Sequence, residues 1–151
     1  MNPGLQEKVI TERLAWIREM LAGIRSLPLA SYEEFVSDRR NIAAAESYLR
    51  RALEALLDLG RHLLAKGFAR AVSEYREIPQ RLQEVGVLTA EEAHLMREMA
   101  GYRNRLVHFY VEVSSRELYE ICVGQIGDIE RLEQALVAWV LAHPDQIDRS
   151  L

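Results

Sequence analysis

The sequence predicts an all-α protein: an up-and-down bundle of four or five helices with short connections, in a single domain spanning residues 1–151. Three observations carry that expectation. Apolar residues recur at intervals of three and four through most of the chain, the period that lays one stripe along a helix. Three Ser/Thr-x-x-Glu tetrads, beginning at Ser31, Thr89 and Ser114, have the form of capping boxes that open helices. No alternation of apolar and polar residues is long enough for a trustworthy strand, and Tyr110 to Val113 is the one strand-like fragment. There is no repeat and no low-complexity segment.

The first helix is expected from about Leu5 to Leu27, with an inward stripe of Val9, Ile10, Leu14, Ile17, Leu21 and Ile24, and Pro28 stops it. The Ser31 box opens a short helical turn through Phe35. Asp38 then caps a long second helix that continues to about Lys66, where Gly67 ends it. Its stripe is Ile42, Ala45, Leu49, Leu53, Leu56 and Leu63. A second, polar face carries Arg50, Arg51, Glu54, Asp58 and Arg61, which reads as solvated surface with ion pairs three and four residues apart. A shorter helix starts at Tyr75 or Ile78 and reaches Val85, with Pro79 tolerated in the first turn of the later start, before Gly86 ends it. Thr89 opens the fourth helix, Ala90 to about Phe109. Ser114 opens the last, Arg116 to Ala142, closed by His143-Pro144.

Composition narrows the function. At 151 residues the chain is large enough to bury a core without disulfide or metal staples. No apolar run approaches the ~20 residues of a membrane span, and the start, Met1-Asn2-Pro3-Gly4, lacks a basic region followed by an apolar core. One cysteine, Cys122, excludes an intramolecular disulfide and agrees with a reducing cytoplasm; it is expected as a small buried hydrophobe on the last helix. A net charge of -4 argues against a broad basic surface that coats nucleic acid, though not against a local basic groove. Nearly all the cations are Arg, the better phosphate fork, and most of these are expected on solvated helix faces.

The densest chemistry lies in Gly101-Tyr102-Arg103-Asn104-Arg105-Leu106-Val107-His108-Phe109-Tyr110. Met96, Met99, Arg103, Leu106 and Tyr110 step by three and four, which places Arg103 on the inward face. A guanidinium there needs a carboxylate, a phosphate or a water-filled groove, because it cannot shed its proton. Asn104 and His108 are about 40° apart around an ideal helix, whereas Arg103 and His108 diverge by roughly 140°. Convergence requires the Arg stem to curl round, the helix to loosen near His108, or a second copy of the chain. An Arg–His cluster near a helix end also serves as capping and ion pairing with no catalysis.

Arg103, four residues, His108, one residue and Tyr110, with Asn104 directly after the Arg, resembles the motif of the HEPN ribonucleases, specifically the HepT-like toxins of toxin–antitoxin pairs. Ala100-Gly101 before it, Asp38-Arg39-Arg40, Leu53 to Leu59, Arg61-His62 and Gly86-Val87-Leu88 extend the likeness from about Asp38 to the end of the last helix. The resemblance implies a HEPN-like helical domain and a cytoplasmic endoribonuclease that works as a homodimer, or in a higher assembly with its antitoxin. Arg103 and His108 would be catalytic, with Asn104 and Glu54 supporting. Glu54 would pair with Arg103 or position His108, and it reads equally well as an ordinary surface carboxylate.

Metal-independent RNA cleavage uses the 2′-hydroxyl as nucleophile. His108 suits the proton transfer because its ordinary pKa of about 6.5 keeps both forms populated near neutrality, and Arg103 supplies a cation for the developing oxyanion. One His is formally too few for separate acid and base roles, which a homodimer resolves. His62, His94 and His143 show no metal-ligand spacing, so neither metal nor cofactor is expected. The resemblance further implies an antitoxin that is a minimal nucleotidyltransferase and adds AMP to a motif tyrosine. Some relatives carry a tyrosine two residues after the motif Arg; that position here is Arg105, which leaves Tyr110, or else Tyr102, as acceptor. The rival function is a non-catalytic helical partner of a minimal nucleotidyltransferase, holding the enzyme or its nucleotide, with Arg103 binding phosphate only.

Overall fold

The 29-residue helix Arg39–Gly67 is the post against which most of the others pack. In the computed structural model, which describes residues 4–108 and 113–149, it is the third of seven α-helices. In chain order these are α1 (Glu7–Arg25), α2 (Tyr32–Val36), α3 (Arg39–Gly67), α4 (Ile78–Glu84), α5 (Ala90–Val107), α6 (Ser115–Gly124) and α7 (Ile126–Ala142). Five of them reach ten residues or more, which keeps the architecture an all-α bundle. No helix among the described residues is long and apolar enough to cross a membrane.

The expected stripe of α3 is buried from Ala45 to Leu63, but Ala52, Leu57, Leu59 and Leu64 are buried as well. A stripe presumes one neighbour, and α3 has neighbours on several sides: α1, α4, α5, α6 and α7 all contact it. Helix α1 runs antiparallel to it. Near its start the Gln6 N–H donates to His62 Nε2 at 3.0 Å, and near its end Gly23 faces the Tyr48 ring. At the Gln6–His62 end of the bundle, Gly4 lies so close to the Lys66 carbonyl that a Cβ there would collide with backbone.

Several boundaries differ from the expected ones, each for a physical reason. Leu5–Gln6 (β1) is not helical because its backbone pairs in parallel with Ile147–Asp148 (β2), a two-residue ladder between chain segments far apart in sequence. Helix α3 passes through Gly67 rather than ending before it. Gly67 packs against the Trp139 ring of α7, and the chain turns at Ala69, whose φ of 54° is left-handed. Helix α4 is entered through a 3-10 turn over Tyr75–Glu77 and is α-helical from Ile78; Gly86, at φ 84°, takes the left-handed conformation that follows it.

The three capping signals all mark real helix starts. Only Thr89 with Glu92 forms the complete reciprocal box. Ser31 and Ser114 each accept from the backbone N–H three residues on, at 3.1 Å, while the Glu117 carboxylate turns to Arg105 instead. The expected single last helix is two helices broken at Gln125 (φ -122°, ψ 5°) between Gly124 and Ile126. Leu118, Ile121, Cys122, Ile126, Ile129 and Leu132 keep helical spacing straight through the break, so the pattern alone reads one element. Cys122 is buried, as expected of it, on α6.

Candidate functional site

Helix α5 ends at Val107, two residues before its expected end, and His108 is already extended at φ -103°, ψ 121°. That early end answers the angular problem posed by the motif. Five residues along an unbroken helix would carry His108 roughly 140° away from Arg103. Here Arg103, Asn104 and His108 line one groove of about 530 Å³ together with Arg61, Tyr75 and Arg76. His108 is exposed and also borders the neighbouring groove beside Glu46, Ser114 and Ser115, so it stands on the ridge between the two.

Three elements hold Arg103. Helix α3 offers the Glu54 carboxylate 3.8 Å from Arg103 Nη2. Asn104, next in the chain, accepts from Arg103 Nη1 through Oδ1 at 3.2 Å. The 3-10 turn supplies the Tyr75 ring, with its centroid 4.6 Å from the Arg103 guanidinium carbon. Glu54 is itself engaged by Arg50 at 2.6 Å, so one carboxylate joins two guanidiniums. The inward-facing Arg103 thus has both a carboxylate and an open groove.

Tyr75 is the hinge of this arrangement. The Arg61 guanidinium also lies 4.6 Å from its ring centroid, and its hydroxyl donates to Asp58 Oδ1 at 2.7 Å. Burial, reinforced by the Asp58 bond, pushes the phenol up to about 12, so it stays a neutral donor at any physiological pH. Arg61 and Arg103 each bury an Nε–H with no acceptor among the described residues. Such a group costs about 1–3 kcal/mol, and the Tyr75 ring face against which both guanidiniums lie recovers part of it.

Sequence reasoning did not assign Tyr75, Asp58 or Arg61 to the site. Asp58 and Arg61 were legible in retrospect, because Glu54, Asp58 and Arg61 step by four and three along α3 and so share its face. Tyr75 carried no local signal, since it meets Asp58 across 17 residues. Tyr110 lies outside the described residues. Arg105 forks onto Glu117 through two bonds of 2.7 Å, tying the end of α5 to the start of α6 on either side of the His108 turn.

Volume alone would choose elsewhere. A groove of about 570 Å³ lies between α1 and α7, but its charges, Arg25 with Glu130 and Arg18 with Glu133, face each other, and it contains no histidine. The other three histidines do not line the motif groove. His62 accepts the Gln6 N–H, and burial together with Lys66 and Arg13 holds its pKa below the usual range. His94 pairs with Glu98, and His143 stacks on Trp139. Among the described residues no three His, Cys, Asp or Glu side chains are placed to hold a metal ion.

A family model described as ribonuclease HepT-like matches residues 10–136. The chain belongs to the HepT-like ribonuclease family. No curated protein matches it in sequence. Solved structures resemble this HepT-like chain in fold at low identity. One is a tri-AMPylated HEPN toxin of Shewanella oneidensis in complex with an MNT antitoxin, 20% identical over 86% of this chain and 97% of that one, with a TM-score of 0.78. A toxin–antitoxin structure with AMP-PNP is 19% identical over 87% and 99%, also at 0.78. YutE of Bacillus subtilis, a cytosolic protein of unknown function, is 20% identical over 92% and 93%, at 0.74. HepT-like membership and this all-α fold agree with the likeness read from the motif.

Proposed function

We propose that this HepT-like chain is the toxin of a cytoplasmic toxin–antitoxin pair, a metal-independent endoribonuclease formed by one domain over residues 1–151. The observation that carries the reading is the shared groove of Arg103, Asn104 and His108 at the end of α5. In that groove the RNA 2′-oxygen attacks the adjacent phosphorus, the new oxygen–phosphorus bond forms, and the bond to the 5′-oxygen breaks to leave a cyclic phosphate. A proton leaves the 2′-hydroxyl and another reaches the departing 5′-oxygen. His108 performs one transfer, and His108 of a second copy in a homodimer performs the other. Arg103, held by Glu54, Asn104 and Tyr75, stabilises the charge on the non-bridging oxygens. The demand for a second proton-transfer group, rather than the helix angle, is what supports the dimer.

Neutralisation is covalent in this reading. A minimal nucleotidyltransferase antitoxin transfers AMP from ATP to Tyr110: the hydroxyl oxygen loses its proton and bonds to the α-phosphorus as pyrophosphate leaves, and the added phosphodiester, of charge about -1, competes with RNA for Arg103. The solved relative described as tri-AMPylated and bound to an MNT antitoxin supports this for the family.

The test is expression without antitoxin, followed by RNA end analysis with the purified protein. Growth arrest abolished by His108→Ala, cleavage that survives EDTA, and ends carrying cyclic or 3′-phosphate are expected. Ends carrying 3′-hydroxyl, or toxicity retained by His108→Ala, would overturn the assignment. Incubation with the antitoxin and ATP should add whole AMP units to a peptide containing Tyr110, and Tyr110→Phe should remain unmodified.

A further inference from the structure

A second groove, of about 200 Å³, lies between α1 and α3 and is bordered by Arg13, Trp16, Arg50, Arg51, Glu54 and Asp58. Trp16 is a large aromatic left 38% exposed on α1. Most arginines of this chain sit within ion-pair distance of a carboxylate, yet Arg13 and Arg51, at this groove, have no such partner among the described residues. The two carboxylates that border it are already occupied. Glu54 binds Arg50 at 2.6 Å and faces Arg103, while Asp58 accepts the Tyr75 hydroxyl at 2.7 Å and lies 3.8 Å from Arg61.

The Glu54–Asp58 edge is therefore the wall shared with the motif groove, since Arg103 and Tyr75 line the other side of it. Across both grooves the lining holds six arginines, Arg13, Arg50, Arg51, Arg61, Arg76 and Arg103, and three carboxylates, Glu54, Asp58 and Glu74. The local excess of three positive charges stands on a chain whose net charge is -4. An exposed aromatic lining one groove with cations that lack carboxylate partners among the described residues has the composition of a surface that stacks a base and grips the flanking phosphates.

We propose that the α1–α3 groove extends the strand-binding track of the motif groove: a base of single-stranded RNA stacks on Trp16, and neighbouring phosphates engage Arg13 and Arg51. This rests on the ribonuclease reading above and adds to it a determinant of substrate length and single-strandedness. Stacking is tolerant of base identity, because every base presents a π-face, so the groove favours unpaired strands without selecting a sequence. A paired helix, with its bases already stacked on each other, gains nothing from Trp16.

The experiment is fluorescence anisotropy with the full chain and a labelled 2′-O-methyl oligoribonucleotide, which cannot be cleaved through its 2′-oxygen. Trp16→Leu is expected to weaken binding by about fivefold or more, the lower bound for one stacked base. Arg13→Gln and Arg51→Gln should each reduce the slope of log K against log salt by about 0.7, the value for one phosphate contact on a single strand. Sedimentation of each variant separates the other possible occupant. If the parent binds and the variants bind equally well, the inference falls while the ribonuclease reading stands. Weakened self-association with unchanged RNA affinity would also overturn it, and would make the face a contact between copies. Absence of RNA binding by the parent would overturn both.

Discussion

If Tyr75 seats the Arg103 guanidinium, then removing its hydroxyl and removing its ring must have different consequences. Tyr75→Phe loses the 2.7 Å bond to Asp58 and keeps the ring. A bond to a charged partner contributes about 1.5–3 kcal/mol when buried. The Asp58 side chain is 30% exposed, so water replaces part of the loss, and about 1 kcal/mol is expected. For a chain of this size that lowers Tm by about 2–4 °C. Tyr75→Leu also removes the ring from two guanidiniums, each contact contributing about 0.5–1 kcal/mol, for a total of about 2–3 kcal/mol. Catalysis should follow the ring rather than the hydroxyl. With Phe, Arg103 keeps its seat and kcat/KM should stay within about threefold; with Leu, the guanidinium is released and about 1.4 kcal/mol of transition-state stabilisation goes, about tenfold in kcat/KM. Initial rates on a fluorogenic RNA oligonucleotide, measured below the melting range of both variants, give the comparison. Wild-type kcat/KM in Tyr75→Leu, or an equal fall in Phe and Leu, would refute the positioning argument.

Other substitutions report on the scaffold. Burial holds the Glu133 carboxyl above the usual range, and Arg18, 3.9 Å away, only partly offsets this. Its charged form is thus disfavoured in the folded state at neutral pH, so Glu133→Gln should raise Tm at pH 7, with the gain shrinking as pH falls and Glu133 protonates; a lower Tm at pH 7 would contradict this. The Arg105 fork holds Glu117 below its ordinary value of 4.5, so its stabilisation is present above that pH and is lost as pH falls through the lower folded value. A double-mutant cycle of Arg105→Gln and Glu117→Gln should return about 0.5–1 kcal/mol of coupling at pH 7, and the coupling should fall once acidification below pH 4.5 protonates the folded-state carboxylate. Burial pushes the Cys122 thiol up to about 12, so a disulfide reagent should label it only after denaturation; rapid native labelling would place it at the surface.

The features legible in the chain itself are local ones. A hydroxyl followed three residues later by Glu marked the starts of α2, α5 and α6, because the capping bond is made within a single turn. Apolar spacing located the buried faces of α1, α3 and α5, since burial of a face follows from the helix's own period. The motif named Arg103, Asn104 and His108, but the way they meet was decided elsewhere. The end of α5 at Val107 lies between residues whose spacing is compatible with further helix, and the fork from Arg105 to Glu117 on α6 holds that corner. The Tyr75 ring reaches both guanidiniums only after the chain has turned back along α3. Likewise β1 exists because a distant segment supplies its hydrogen bonds, and the break at Gln125 leaves the apolar spacing untouched. Periodicity describes which side of a helix is apolar. It contains no term for the neighbour that side meets, and the tertiary structure supplied that neighbour at Arg103.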